Sequence, residues 1–235
     1  MFLTNEKKKH NSWQGTFYTR KWNDHTSIVY FEKSYGGKPL LKKINQIAVQ
    51  NSLIFNSSMV DENSSEIWRA SGWEVVQRLN VLSLNLKHVQ SSDEKVVNVE
   101  KFTNENISEI INLDHKIFEP YWQNSTSAFS ETISSCTHNY LFVQKKDNNP
   151  IGYGILGITR SYGFLQRFGI NKEFQQRGFG KKLLGEVIKF SKQKKLINIR
   201  LNTQEQNKHA KRLYLNNGFK TTNTNYLILG TSNTK

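Results

Sequence analysis

The stretch "FGINKEFQQRGFGKKLLGEVIKF" covers residues 168–190. An apolar stub runs into Gln175, Gln176 and Arg177, after which Gly178 and Gly180 flank Phe179. Beyond them Leu183, Leu184, Val187, Ile188 and Ser191 recur at helical spacing, and Lys181, Lys182, Lys189, Lys192 and Lys195 form another face. That pattern is a helix lying on a sheet. A strand that turns through glycine into a helix is suited to holding phosphate. The first helical N–H groups lack intrahelical partners, and the helix dipole adds partial positive charge there. Glycine lets the backbone approach a ligand closely. A diphosphate is the expected ligand, although the glycines alone fit a plain tight turn equally well. The third glycine of a dinucleotide-binding turn is missing, as is the Gly-Lys-Ser/Thr of a nucleotide-triphosphate loop.

The surrounding sequence alternates strands and helices. "VVNVEKF" (96–102) alternates like a strand. "NISEIINLDHKIFE" (106–119) carries Ile107, Ile110, Ile111, Leu113, Asp114 and Ile117 at helical spacing, and Pro120 ends it. "TSAFSETISSC" reads as a second helix. "NYLFVQKK" and "IGYGILGITR" form a hairpin around "DNNP", and "YGFLQRFGI" is a further strand. After the Lys-rich helix come a strand "INIRLNT", a short helix "NKHAKRLYLNN" with Gly218 as its C-cap, and a closing strand "NYLILG".

"QQRGFGKKLL" has the form Gln/Arg-x-x-Gly-x-Gly/Ala before an apolar helix, and it resembles the acyl-CoA loop of the GNAT N-acetyltransferase superfamily. The segment 207–219 resembles that family's second signature, matching at Asn207, Ala210, Leu213, Tyr214, Gly218 and Phe219. The resemblance covers about 96–230. It implies a mixed α/β sheet and direct transfer of an acetyl group from acetyl-CoA to a primary amine. It implies that Gln175, Gln176, Arg177, Gly178, Phe179, Gly180 and Lys181 hold the CoA pyrophosphate. Phe168, Gly169 and Ile170 would pair with pantetheine where two strands splay, and Asn207 would bond the CoA arm. Tyr214 would protonate the leaving thiolate.

The first half carries a shadow of the same pattern. Shifted by 143, "KPLLKKINQIAVQNSLI" falls on "KKLLGEVIKFSKQKKLI", and with three more residues of shift "IWRASGW" meets "LYLNNGF". Both halves end in strand-like tails, "LNVLSLNL" and "NYLILG". Tyr35 then stands at Gly178, Glu32 at Gln175, Gly37 at Gly180 and Trp68 at Tyr214. The expectation is a truncated, GNAT-like part over 1–90 without a cofactor site, and a full acetyltransferase domain over 96–235, divided at the polar stretch 87–95.

The amine must lose a proton during attack, which calls for a base or a water chain. Glu119, at a helix end before Pro120, is the candidate base. A solvated carboxylate is its plain alternative. His115, one turn earlier on the same face, reads as a partly buried polar neighbour rather than a base. Tyr121 and Trp122 could line the acceptor mouth or fill core. Glu205, after the strand "INIRLNT", is another possible acid or a loop charge, and Glu186 reads as a surface ion partner. No His/Cys/Asp cluster has metal-ligand spacing, so no metal is expected.

The chain has 235 residues and a net charge of +14, from 33 Lys+Arg against 19 Asp+Glu. Lysine (25) far outnumbers arginine (8), the residue suited to bidentate phosphate contacts, so nucleic acid is not the expected partner. The rival class is a non-catalytic acyl-CoA sensor or basic nucleic-acid-binding module on the same scaffold. Without an apolar run of eighteen residues no membrane span is expected. The start lacks the pattern of a secretory signal, and Cys136 is the only cysteine, so a cytoplasmic enzyme is the natural expectation. Amino acids, polyamines, antibiotics and protein N-termini all stay open as acceptors, and the sequence specifies no oligomeric state.

Overall fold

The computed structural model describes residues 2–90, 96 and 99–231. It divides into two compact units, one holding the chain up to Asn80 and again from Asn223, the other Val81–Thr222.

The first unit opens with β1 (Lys8–Ser12), β2 (Gly15–Lys21) and β3 (Ile28–Gly36), an antiparallel meander. α1 (Lys38–Gln50) buries Leu40, Leu41, Ile44 and Ala48, one helical face, and its first turn contains Pro39. The helix carries the chain back to β4 (Ile54–Ser57), which pairs parallel to β3 from Ile28–Ile54 to Phe31–Ser57. Then follow β5 (Val60–Asp61), α2 (Glu66–Arg69) and β6 (Trp73–Asn85). The core of this unit is aromatic. Trp68 and Trp73 meet edge to face at 4.9 Å, Phe31 lies 5.3 Å from Trp73, and the Trp73 indole donates to Leu41 O at 3.1 Å.

The second unit takes the end of β6 and continues through β7 (Val99–Lys101), α3 (Ile107–Ile117), α4 (Thr126–Ser134), β8 (His138–Lys146), β9 (Asn149–Thr159) and β10 (Tyr162–Ile170). α5 (Phe179–Gln193), β11 (Asn198–Gln204) and α6 (Lys208–Asn216) complete it, before β12 (Lys220–Thr231) leads back to the first unit. Its strand order is β6-β11-β10-β9-β8-β7. β9 is buried from Ile151 to Ile158, an apolar run rather than an alternation, because both of its faces are covered. Leu156 and Ile158 join the core under α5, whereas Tyr153 and Ile155 pack with Ile110, Leu113 and Ile117 of α3.

The mixed α/β reading and the internal repeat both appear here. Each unit contains a strand, a helix and a parallel strand: β3-α1-β4 and β10-α5-β11. Gly72 and Gly218, matched in the repeat, follow α2 and α6 with φ of +83° and +87°. The buried faces Leu40, Leu41, Ile44, Ala48 and Leu183, Leu184, Val187, Ser191 keep the shift of 143, so Gly37 stays opposite Gly180 although it caps α1 while Gly178 caps α5. One expectation is corrected. Glu32 sits within β3 and binds Lys7 at 2.6 Å and the Tyr30 hydroxyl at 2.8 Å, away from the start of α1.

The expected division at 87–95 and the observed units also differ. Residues 91–95, and 97–98 of the strand read at 96–102, lie outside the described residues. Leu82, Leu84 and Leu86 belong to the core of the second unit, and Leu227 and Leu229 to that of the first. Each half thus gives its last strand to the other unit's core. Strand alternation is the same whichever core receives it, so the sequence pattern alone does not reveal the exchange.

Candidate active site

β10 pairs with β11 only from Tyr162–Asn198 to Phe164–Arg200, yet β10 runs on to Ile170. On its other edge β10 stays paired with β9 up to Ile170–Gly152, across an irregularity between Leu165 and Arg167. The parallel pair therefore opens after Phe164, and Phe168, Gly169 and Ile170 lie in the opening.

The chain then makes a turn at Lys172–Phe174 and enters α5. Gln176 and Gly178 have φ of +59° and +85°, the left-handed region, which costs glycine little and other residues more. The first α5-side donor with an acceptor is Lys182, whose N–H reaches Gly178 O at 3.0 Å. Among the described residues, the N–H groups from Gln176 to Lys181 have no hydrogen-bond partner. A Cβ at Gly178 would meet nothing within 4 Å, so its conformation rather than crowding calls for glycine. At Gly180 a Cβ would stand 3.5 Å from Leu213 and 3.8 Å from Ile170, which brings α6 and the end of β10 to the start of α5. The Gln175 side chain donates to Ile170 O at 2.8 Å and ties the turn down.

Tyr214, on α6, is 5% exposed. Its ring meets Phe168 at 6.1 Å and Phe219 at 5.7 Å, and no partner for its hydroxyl is present among the described residues. Burial pushes its phenol well above the ordinary tyrosine value, so it stays protonated at neutral pH. Gly218 at φ +87° ends the helix, and Phe219 N–H returns to Tyr214 O at 3.1 Å. Asn207 has a structural duty, because its side-chain oxygen caps α6 by accepting from Ala210 N–H at 3.0 Å. Its amide nitrogen has only a 3.5 Å contact to Gln204, which leaves it as the group able to face a ligand.

Glu119 follows α3, heads the turn Pro120–Trp122, and is an exposed carboxylate bound to Lys172 just past β10. Tyr121 and Trp122 stack edge to face at 4.9 Å in that turn. Glu186 pairs with Lys189 at 3.7 Å on α5. Among the described residues no three His, Cys, Asp or Glu are grouped to hold a metal ion. No helix of the described residues is long and apolar enough to cross a membrane.

A further polar group was not singled out from the sequence as a site. Asp114, wholly buried on α3, accepts from Arg167 of β10 and from the Tyr153 hydroxyl of β9. Burial pushes the Tyr153 phenol well up against the opposing pull of Arg167, so it remains a donor. The signal was present in the sequence: an aspartate sits among the isoleucines of an apolar helical face. A carboxylate there requires a buried cation or donor.

The same opening in the first unit is differently furnished. β3 loses β4 after Phe31 and continues to Gly36, but Gly37 before α1 has φ of −117° and Pro39 removes one N–H from the first turn. Trp68 fills the core there, without a hydroxyl.

A β-α-β pair that splays beside an uncapped helix start is a site suited to an anionic ligand. Residues 107–219 match the model of the Acetyltransferase (GNAT) family. Those residues fall within the second unit, which is similar to that acetyltransferase family. A curated relative, the probable spermine N(1)-acetyltransferase of Bacillus subtilis subsp. natto, is 27% identical over 132 residues, covering 52% of this chain and 87% of the relative. A solved tandem GNAT protein from the clavulanic acid biosynthesis pathway shares 12% identity with a TM-score of 0.63, over 97% of this chain and 84% of that one. A conserved protein of Staphylococcus epidermidis shares 17% identity with a TM-score of 0.56, over 98% and 96%. The two structural neighbours share the fold of the whole chain, in keeping with its two-part build.

Proposed function

We propose that the second unit transfers an acetyl group from acetyl-CoA directly to a primary amine, and that the first unit binds no CoA. The observation that carries this reading is the run of unpartnered N–H groups from Gln176 to Lys181, set beside the opening of β10 from β11. Those donors suit a pyrophosphate. Phe168, Gly169 and Ile170 supply an edge of backbone for the pantetheine, and the Asn207 amide faces the same arm.

The amine nitrogen forms a bond to the thioester carbonyl carbon, and the carbon–sulfur bond breaks with its electron pair going to sulfur. Tyr214 gives its phenol proton to that sulfur and is reprotonated from solvent. Glu119 takes the proton that the amine loses and passes it to water. No acyl group is held on the protein. Two carboxylates of this region, Asp114 and Glu119, are each bound to a cation.

The test is thiol release from acetyl-CoA by the whole chain over a panel of amines: lysine, trialanine, kanamycin and spermidine. Release above acetyl-CoA hydrolysis with at least one of them is expected. Binding of acetyl-CoA without release for any amine would contradict the enzyme reading and favour a sensor.

A further inference from the structure

Asp114, Tyr153 and Arg167 form a polar network, and two of its members, Asp114 and Arg167, bond directly to the segment joining α3 to α4. The Asp114 Oδ1 accepts the Asn124 N–H at 2.8 Å. Its Oδ2 accepts Arg167 Nε at 2.8 Å and Nη2 at 2.6 Å, together with the Tyr153 hydroxyl. Arg167 Nη2 also donates to Trp122 O at 2.6 Å, and its guanidinium lies 3.6 Å from the centre of the Phe118 ring. Arg167 is thus bound to the beginning and middle of the segment, and Asp114 to its end.

Burying an ion pair is weak evidence for stability, because apolar residues of equal volume often serve as well. What apolar packing does not supply is orientation. A guanidinium fork with several fixed donors sets both direction and distance. β10 is shaped to receive this segment, since a Cβ at Gly169 would stand 2.5 Å from Ile117 and 2.9 Å from Phe118. Neighbouring residues of a strand point to opposite faces. Phe168 packs toward Tyr214, and Arg167, next to it, toward Phe118 and Trp122. One strand therefore carries the contact to the general acid on one face and the anchor of the segment 118–124 on the other.

We propose that Arg167 is a positioning residue for the acceptor: held by Asp114 and Tyr153, it fixes the segment that carries Glu119, Tyr121 and Trp122 against β10, where the amine must approach. This rests on the acyltransferase reading. Arg167 does not touch the acetyl group and is not a catalytic residue.

The test uses the whole chain and two variants. Arg167→Lys keeps the charge and loses the fork; Tyr153→Phe removes one hydroxyl and is the milder change should Arg167→Lys fold poorly. Amide hydrogen exchange of residues 118–124, acetyl-CoA affinity by calorimetry, and steady-state kinetics with the best amine of the panel are measured. Exchange in the segment should quicken about tenfold or more, as for loss of a charge-assisted hydrogen bond. Acetyl-CoA affinity should stay within about twofold, while KM for the amine rises about tenfold and kcat changes less. Unchanged exchange in both variants, an unchanged amine KM, or a parallel loss of acetyl-CoA affinity would overturn the proposal and leave the network a support of the core. A failure of the underlying reading shows differently, in wild-type chain that neither binds acetyl-CoA nor releases thiol, and it would remove the proposal with it.

Discussion

Tyr214 on α6 and Phe168 on β10 meet with ring centroids 6.1 Å apart and planes at 62°. The contact seats the phenol beside the stretch of β10 that has lost its parallel neighbour. The Tyr214 hydroxyl has no protein partner among the described residues, so in the proposed reaction its proton is not committed to another protein group and can go to the departing thiolate.

Tyr214→Phe keeps the ring, its contact with Phe168 and its contact with Phe219. General acid catalysis supplies about 100- to 10,000-fold, so kcat should fall in that range when thiolate departure limits the rate. Acetyl-CoA affinity should hardly move. Full turnover in Tyr214→Phe, with chemistry shown to be rate-limiting, would remove Tyr214 from the mechanism.

The same burial predicts an alkaline signature. Tyr214 has its folded value raised above the unfolded value of about 10, and Tyr153 is shifted in the same direction. The unfolded chain then gives up protons that the folded chain retains. The stabilisation is whole below about pH 10 and is lost as pH climbs above it. Melting temperatures from pH 8 to 11 should therefore fall more steeply for wild type than for Tyr214→Phe. Parallel curves would contradict the shift.

The exchanged strands predict the fate of a truncated chain. Residues 96–235 alone lose Leu82, Leu84 and Leu86 from the core of the second unit and leave Leu227 and Leu229 without the core they fill. Each buried leucine contributes about 1.5–3 kcal/mol. The fragment should melt well below the whole chain and aggregate on heating. Equal melting temperatures would refute the exchange as a source of stability.

The parts of the site that were legible in the sequence are local ones. Helical spacing from Leu183 to Ser191 and the paired signatures at 175–181 and 207–219 concern residues that lie close along the chain. The glycine at 218 is read the same way, as a helix stop. The network of Asp114, Tyr153 and Arg167 joins residues 39 and 53 apart, and spacing carries no trace of such pairings. Only the misplaced charge at Asp114 hinted at it. The meander β1-β2-β3 escaped notice because charged and aromatic residues share its strands, as in "GTFYTRK", and blur the alternation. The capping duty of Asn207 was hidden behind the ligand contact that the family resemblance implied for it, since one amide has an oxygen for the helix and a separate nitrogen.

Calorimetric titration of the whole chain with acetyl-CoA tests the central claim most directly, through two variants at one position. Gly178→Asn and Gly178→Asp have side chains of the same shape, both tolerated near φ +85° better than most, and differ by one negative charge. With the pyrophosphate held at Gln176–Lys181, the wild type should bind one acetyl-CoA per chain, and Gly178→Asp should bind at least about tenfold more weakly than Gly178→Asn, the effect of some 1.4 kcal/mol of repulsion. Two molecules bound per wild-type chain, or equal affinity in folded Gly178→Asp and wild type, would contradict the account.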